Sequence, residues 1–214
     1  MIPSKRIPLK KDARILLSRR PDGANPELWV ITGLTGDGEG SEGGSSICYD
    51  AKQGTKRGRL KEFYPGDISI NGQDWLFHFE RTRDNQLLPV GPAMSRRFGQ
   101  MCQEFVGAYQ MLEQAKAEDP KKQILNNYMP AYELLYGFCS DGTPGSVYVW
   151  TPDDRQGENF QHYLDEVRKN PADLPEHKLY NILNTLITFT DCVRILHEAD
   201  LLHLDIKPSN FLVL

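Results

Sequence analysis

Short apolar runs separated by polar, glycine-containing turns occupy the first third of the chain. Three of these runs are "LWVIT" at 28–32, "ICYDA" at 47–51 and "GRLKEFY" at 58–64. The first two are joined by "GLTGDGEGSEGG", and the last two by "KQGTKRG", a segment suited to a β-hairpin turn. The pattern therefore predicts a three-stranded antiparallel meander.

A hairpin and a helix are predicted next. Asn71-Gly72 stands between β-prone runs and is a strong hairpin signal, so 66–92 should hold an extra strand pair followed by a loop. From Ser95 the apolar period changes to that of a helix, which should end at or just before Pro120. The helix face is formed by Phe98, Met101, Cys102, Phe105, Tyr109 and Leu112.

The second half of the chain reads as two strands and then mostly helix. The strands are "YELLYGF" at 132–138 and "SVYVWT" at 146–151, and "NFQHYLDEVRK" at 159–169 predicts a short helix. A longer helix keeps its apolar spacing from Leu179 to Leu196 and should pack that face on something large. This order of elements predicts an α+β fold with two unequal layers.

Net charge, apolar content and cysteine spacing exclude several classes of partner and site. The 214 residues carry a net charge of -4, which leaves no broad basic surface for nucleic acid. No window approaches the apolar length of a membrane span, and the N-terminus lacks the apolar core of a signal peptide. The four cysteines are too widely spaced for a metal site, and we expect free thiols and a cytoplasmic location.

The candidate chemistry lies in "HLDIKPSN", which spans 203–210. Pro208 cannot continue a helix, so the segment should be a loop that presents side chains. Asp205 can accept a proton from a hydroxyl, Lys207 can neutralise charge on a phosphoryl group, and Asn210 has an oxygen that suits Mg²⁺. Taken singly, each of these residues is also common in an ordinary polar turn.

Together they carry a resemblance to a known family. "ILHEADLLHLDIKPSNFLVL" at 195–214 resembles the long C-lobe helix, catalytic loop and following strand of eukaryotic-like serine/threonine protein kinases, whose loop reads H-R-D-x-K-P-x-N. The resemblance implies that Asp205 is the catalytic base, Lys207 the cation beside the phosphate, Asn210 a metal ligand and His203 a structural residue. Leu204 replaces the family's arginine, so control through that arginine and a phosphorylated activation loop is not expected.

The resemblance also implies a fold and its division. The expected fold class is α+β and protein-kinase-like, with a small antiparallel β-sheet N-lobe, an αC-type helix and a truncated helical C-lobe. Residues 1–27 would be an N-terminal extension, 28–152 the N-lobe with a hairpin insertion at about 66–92, and 153–214 a partial C-lobe.

The nucleotide-binding residues of the family have counterparts in the first half of the chain. Gly38, Gly40 and Gly43 lie where a glycine-rich loop would cover the phosphates, although the three acidic residues of this segment also suit a flexible linker. The register of the loop stays open, because aligning "ICYDA" with the family's V-Y-x-A puts "SEGGSSIC" on the loop instead. Cys48 aligns with the valine of the family's V-Y-x-A, and Lys61 with the lysine of V-A-I-K.

Two further assignments stay open between alternatives. The helix glutamate that pairs with the lysine would be Glu104, with Glu113 as the alternative, and the gatekeeper would be Val149 or Trp150. Arg59 stands where the family has a small residue against adenine, so the adenine contact departs from the family.

The expected function is transfer of the γ-phosphoryl group of ATP, with Mg²⁺, to a serine or threonine hydroxyl of a protein substrate. The family's D-F-G motif does not occur before Leu214, so we expect a fragment of a longer protein, with a natural truncation as the alternative, and in either case a chain that is inactive alone. The first alternative is a pseudokinase-like nucleotide-binding or protein-binding module. The second is a small-molecule kinase of the aminoglycoside type, which the Lys207-Pro208 pair argues against.

Overall fold

Two units make up the chain, and each is described by itself. The computed structural model describes residues 6–35, 46–65, 68–70, 73–75, 79–118, 125, 131–153, 158–169, 175–201 and 212–213. The first unit is Met1–Tyr109 with Ala131–Asp153, and the second is Gln110–Pro130 with Asp154–Leu214.

The first unit is built mainly of strands, and helix α1 begins in it. The elements are β1 (Arg14–Ser18), β2 (Glu27–Leu34), β3 (Ser46–Gln53), β4 (Lys56–Phe63), β5 (Ile68–Ile70), β6 (Gln73–Trp75), β7 (Phe79–Arg81), β8 (Leu87–Pro89), α1 (Pro92–Glu118), β9 (Glu133–Phe138) and β10 (Pro144–Pro152).

Six of these strands close into an antiparallel barrel in the order β1-β2-β3-β4-β10-β9. Strand β1 closes the ring, because it pairs with β2 on one side and with β9 on the other. Within "RILLS", Ile15 and Leu17 are each 1% exposed and point inward, while Arg14 and Leu16 are exposed. Closure gives every one of the six strands two neighbours and removes the sheet edges.

The closed barrel shows that the predicted fold class was wrong. We expected a protein-kinase-like, open N-lobe sheet with an αC-type helix, and the structure has a closed six-stranded barrel with helices. Strand β1 lies within the segment predicted to be an N-terminal extension. Its pairing of Leu17 with Gly137 is a long-range contact, which a local pattern of apolar residues does not reveal.

The individual strands agree with the sequence pattern. Strands β2, β3, β4, β9 and β10 match the five main runs that predicted strands, to within one residue where a run extends beyond its strand. The extra pair predicted within 66–92 is confirmed by β5 and β6, and a second small hairpin, β7 with β8, follows it.

Large apolar side chains fill the inside of the barrel. Trp29 and Trp150 meet edge to face, with ring centroids 5.2 Å apart. Side chains from all six strands join them in one buried cluster. The alternation of inward and outward residues along each strand is what separates this core from the outer surface.

A carboxylate is buried in the same interior. Glu62 on β4 is 0% exposed and accepts hydrogen bonds from the hydroxyls of Tyr49, at 2.9 Å, and Tyr148, at 2.8 Å. The two terminal nitrogens of Arg81 bind its two oxygens at 2.6 and 2.8 Å. The charge of Glu62 is therefore met by a bidentate guanidinium and two hydroxyls, which offset the cost of its burial.

The same network fastens the segment that precedes β1. Arg81 donates to the backbone oxygen of Ile7 at 2.7 Å, and the Tyr64 hydroxyl accepts from the Ile7 amide at 3.0 Å. The Tyr49 hydroxyl accepts from the Leu9 amide at 3.1 Å, and Leu9 is buried in the core cluster. Ile7 and Leu9 are thus tied to this unit partly through Arg81 and Tyr49, which also bind Glu62.

Burial changes the acid-base behaviour of these groups. Desolvation, reinforced by the neighbouring Glu62 charge, raises the pKa of the Tyr49 and Tyr148 hydroxyls well above the usual range. Burial by itself would lower the pKa of Arg81, but Glu62 outweighs it and the pKa of the guanidinium is raised. Arg81 consequently keeps its charge inside the barrel.

The second unit contains helices and one small strand pair in its described part. Helix α2 (Phe160–Lys169) and helix α3 (Glu176–Glu198) confirm the two helices predicted there, and α1 ends in this unit. Strands β11 (Glu158–Asn159) and β12 (Leu212–Val213) pair antiparallel. Ala115 of α1 packs with Leu125 and with Ile195 and Leu196 of α3.

The apolar face of α3 is less covered than the sequence predicts. Leu179, Leu183 and Leu186 are each between 45% and 50% exposed, and the buried residues of the helix lie near its C-terminal end. None of the described helices is long and apolar enough to cross a membrane.

We expect Arg81→Met to lower the free energy of unfolding by about 3–5 kcal/mol, because it leaves the Glu62 charge buried without its cation. Urea denaturation followed by tryptophan fluorescence measures the change. Arg20→Met is the matched control, since its ion pair with Asp22 is exposed and should contribute less than about 1 kcal/mol. Equal losses in the two variants would contradict the role given to the buried pair.

We also expect the barrel to lose stability above about pH 10, where tyrosines of the unfolded chain ionise. Tyr49 and Tyr148 keep their protons in the folded state because their pKa values are raised, so high pH favours unfolding. Each tyrosine should contribute about 1.4 kcal/mol per pH unit to the slope. Unfolding curves between pH 8 and pH 11 test this, and Tyr148→Phe should remove one tyrosine's share. A slope that this variant leaves unchanged would count against it.

Candidate functional site

The side chain of Lys61 lies on the outer face of the barrel. Along β4, Leu60 and Glu62 are fully buried and point inward, whereas Arg59 is exposed and Lys61 is half-buried. Because side chains alternate along a strand, Arg59 and Lys61 share the outer face. Lys61 is therefore separated from the buried Glu62 network by the strand itself.

Three of the predicted nucleotide-side residues form one row across the sheet. Cys48 of β3 and Val149 of β10 are the direct neighbours of Lys61 in the two flanking pairings. Both are on the same outer face, with Cys48 half-buried and Val149 3% exposed. Trp150, the other candidate gatekeeper, belongs to the barrel core instead. Val149 is thus the gatekeeper candidate that shares a face with Lys61.

The outer face is covered on one side of this row. Phe63, two residues beyond Lys61, is 4% exposed and packs against Phe98 and Phe105 of α1 at centroid distances of 5.9 and 4.8 Å. Cys102 joins this cluster, and burial raises the pKa of its thiol to about 12. That thiol is protonated at neutral pH and is a poor nucleophile.

The face is open on the other side of the row. Arg59 is exposed and is paired in register with Asp50 of β3 and Thr151 of β10. Asp50 accepts a hydrogen bond from the Thr35 hydroxyl at 3.1 Å. The position that the family fills with a small residue against adenine therefore carries an arginine whose neighbours on the two flanking strands are an aspartate and a threonine.

Neither candidate helix glutamate is shown to pair with the lysine. Glu104 is exposed on α1, and among the described residues of the barrel unit no carboxylate lies within the 4.0 Å ion-pair distance of Lys61. Glu113 binds Lys116 one turn along α1, with 3.0 Å between the ammonium nitrogen and the carboxylate oxygen. The pairing of Lys61 with a glutamate of α1 therefore stays a prediction.

The remaining predicted site residues lie outside the described part of the chain. They are Gly38, Gly40, Gly43, His203, Asp205, Lys207 and Asn210. Within the described residues, no group of three histidine, cysteine or acidic side chains could hold a metal ion. The Mg²⁺ assignment therefore depends on Asn210 and on the resemblance alone.

The sequence analysis missed Asp50 and Thr151 as neighbours of Arg59. Residues 54–55 turn the β3-β4 hairpin, with Gln53 opposite Lys56, and counting back from that turn puts Asp50 opposite Arg59. The hairpin register was thus available from the short "KQGTKRG" turn once its length was fixed. The pairing of Arg59 with Thr151 could not be derived in this way, because β10 is distant from β4 in the sequence.

No protein-family model and no curated protein matches the chain.

Proposed function

We propose that the chain carries the catalytic and nucleotide-binding residues of an ATP-dependent serine/threonine protein kinase, which transfers the γ-phosphoryl group of ATP to a hydroxyl of a protein substrate. The observation that carries the proposal is the segment "HLDIKPSN" at 203–210, with a base, a cation and an amide at fixed spacing. The barrel does not argue against it, because function belongs to the site and not to the fold that carries it.

The described part of the chain supports the nucleotide side of the proposal. Lys61 lies on a face that is open to ligand toward Arg59, in a row with Cys48 and Val149. An ammonium group at the edge of such an open face can bind phosphate oxygens as a point charge. Lys61 would hold the α- and β-phosphates there, and Glu104 would orient it.

Each remaining residue has one role in the transfer. Asp205 accepts the proton of the attacking hydroxyl and orients its oxygen toward the γ-phosphorus. Lys207 offsets the negative charge that develops on the phosphoryl oxygens. Asn210 would hold Mg²⁺, which supplies charge neutralisation at the phosphates when bound.

A pseudokinase-like binding module is the second candidate. It is favoured by Arg59 in the place of a small residue, and by the absence of a described carboxylate beside Lys61 in the barrel unit. Such a module would bind a nucleotide or a protein without transferring phosphate. The two candidates differ in one measurable property, the transfer step.

Asp205→Asn should abolish phosphate transfer by the protein and leave ATP binding largely unchanged, because an amide cannot take the proton. Transfer from labelled ATP to serine and threonine peptides measures the first property, and thermal stabilisation by Mg²⁺ATP measures the second. Asp191→Asn, at an exposed carboxylate of α3, is the control and should keep activity. Equal transfer by wild type and Asp205→Asn would refute the role of the base.

Lys61→Met should weaken both ATP binding and transfer, since it removes the cation from the phosphates and keeps the length of the side chain. We expect a loss of affinity of about tenfold or more, corresponding to one charge-assisted contact. Lys11→Met, at an exposed lysine of the same unit, is the control. If ATP stabilises wild type and Lys61→Met equally, Lys61 does not bind the nucleotide.

A further inference from the structure

A column of cations continues from Lys61 along the outer face of β4. Arg57, Arg59 and Lys61 alternate with inward residues, so all three point away from the barrel core. Successive members are about 7 Å apart, because each is two residues further along an antiparallel strand. Arg57 and Arg59 are exposed, and Lys61 is half-buried.

The neighbouring strand adds to this column. Lys52 of β3 is directly opposite Arg57, and Lys56 lies at the turn of the hairpin; both are exposed. Among the described residues, the acidic ones near this end of the hairpin include Asp50, opposite Arg59, and Asp153, whose backbone amide donates to the Arg57 oxygen at 3.0 Å. Glu27 also lies here, because it accepts a hydrogen bond from Gln53, and it is paired with Arg19. Among the described residues, the exposed side chains of Lys52, Lys56, Arg57 and Arg59 thus bring several positive charges together at this end of the hairpin, in a chain whose net charge is -4.

None of the side chains of Arg57, Arg59 and Lys61 is in an ion pair or a hydrogen bond with another described residue. Two other arginines of this unit do have carboxylate partners. Arg19 binds Glu27 and Glu133, and Arg81 binds Glu62. In the column of Arg57, Arg59 and Lys61, the geometry of β4 therefore holds three positive charges next to one another.

The surroundings fix the direction in which a ligand can extend. From Lys61 toward α1 the next outer side chain is Phe63, which the aromatic cluster covers. From Lys61 toward the hairpin turn the face stays open over Arg59 and Arg57. A phosphorylated ligand held by Lys61 therefore extends along the two arginines.

The open face from Lys61 to Arg57 has side chains that suit phosphate groups better than a nucleobase. The outer-face neighbours in these rows are Cys48, Val149, Asp50 and Thr151, and none offers an aromatic surface on which a base could stack. Arginine binds phosphate oxygens through two parallel hydrogen bonds, and a column of such forks matches a chain of repeating anions.

We propose that the outer face of β4 binds a linear polyphosphate chain, inorganic or part of a nucleotide, with Lys61, Arg59 and Arg57 contacting successive parts of it. The proposal depends on the proposed kinase function only for the identity of Lys61 as a phosphate-binding residue. It adds that the phosphates run toward the hairpin turn and that the base is not read by this face.

Binding of inorganic tripolyphosphate, a longer polyphosphate and ATP to the full chain tests it by calorimetry. Tripolyphosphate should bind at least as tightly as ATP, and the longer chain tighter still, with affinity falling as salt is raised. Arg59→Ala should weaken every one of these ligands by about tenfold. Arg57→Ala should weaken mainly the longer chain, and Arg59→Lys should restore part of the loss, which shows that the fold is retained.

Arg14→Ala is the matched control. Arg14 is an exposed arginine on β1, which lies across the barrel ring from β4, and its loss changes the net charge equally. It should leave all three affinities unchanged. If Arg14→Ala weakens binding as much as Arg59→Ala, attraction is non-specific and the proposal fails.

The remaining outcomes separate this proposal from the kinase function. ATP binding much more tightly than tripolyphosphate would mean that the base is recognised, which overturns the polyphosphate path. Phosphate transfer by the protein without tripolyphosphate binding would overturn it as well and leave the kinase function standing. Polyphosphate binding that needs Arg59, without any transfer, would support it and count against the kinase function.

Discussion

The contact between Glu62 and Arg81 inside the barrel is the interaction on which the rest of the first unit depends. A charge at 0% exposure is tolerable only with several partners, and Arg81, Tyr49 and Tyr148 supply them. Those partners come from β3 and β10 of the barrel and from β7 of the small β7-β8 hairpin, so one carboxylate joins the hairpin to the barrel. Through Arg81 it also fastens Ile7, and with it the segment that leads into β1.

Closure by β1 has a consequence for the outer surface. A strand in the middle of a closed ring is paired on both sides, so the positions of its side chains are set by register and vary little. Strand β4 has β3 and β10 as neighbours and carries the buried Glu62 on one face and Lys61 on the other. The network inside thereby holds the strand that presents the candidate phosphate-binding residues outside.

The resemblance to protein kinases bears on the chemistry of the chain, whereas the fold bears on its architecture. The motif at 203–210 carries a proposal about chemistry, while the barrel corrects the expected architecture. The lysine row survives this correction, because it depends on pairings within β3, β4 and β10 and not on whether the sheet is open. Arg59, which departs from the family's pattern, becomes part of a cationic column when its neighbours are known.

The sequence by itself determined the local elements, since the apolar period of a strand or helix is a property of neighbouring residues. It predicted β2, β3, β4, β9, β10 and the three helices, and it singled out Lys61 and Cys48, which the sheet brings into one row. Only the tertiary structure decided the closure by β1, the burial of Glu62 with Arg81, and the choice of Val149 over Trp150 as the neighbour of Lys61. These features arise from pairings between distant segments, and an exposed and a buried charge look alike in a sequence until those pairings are known.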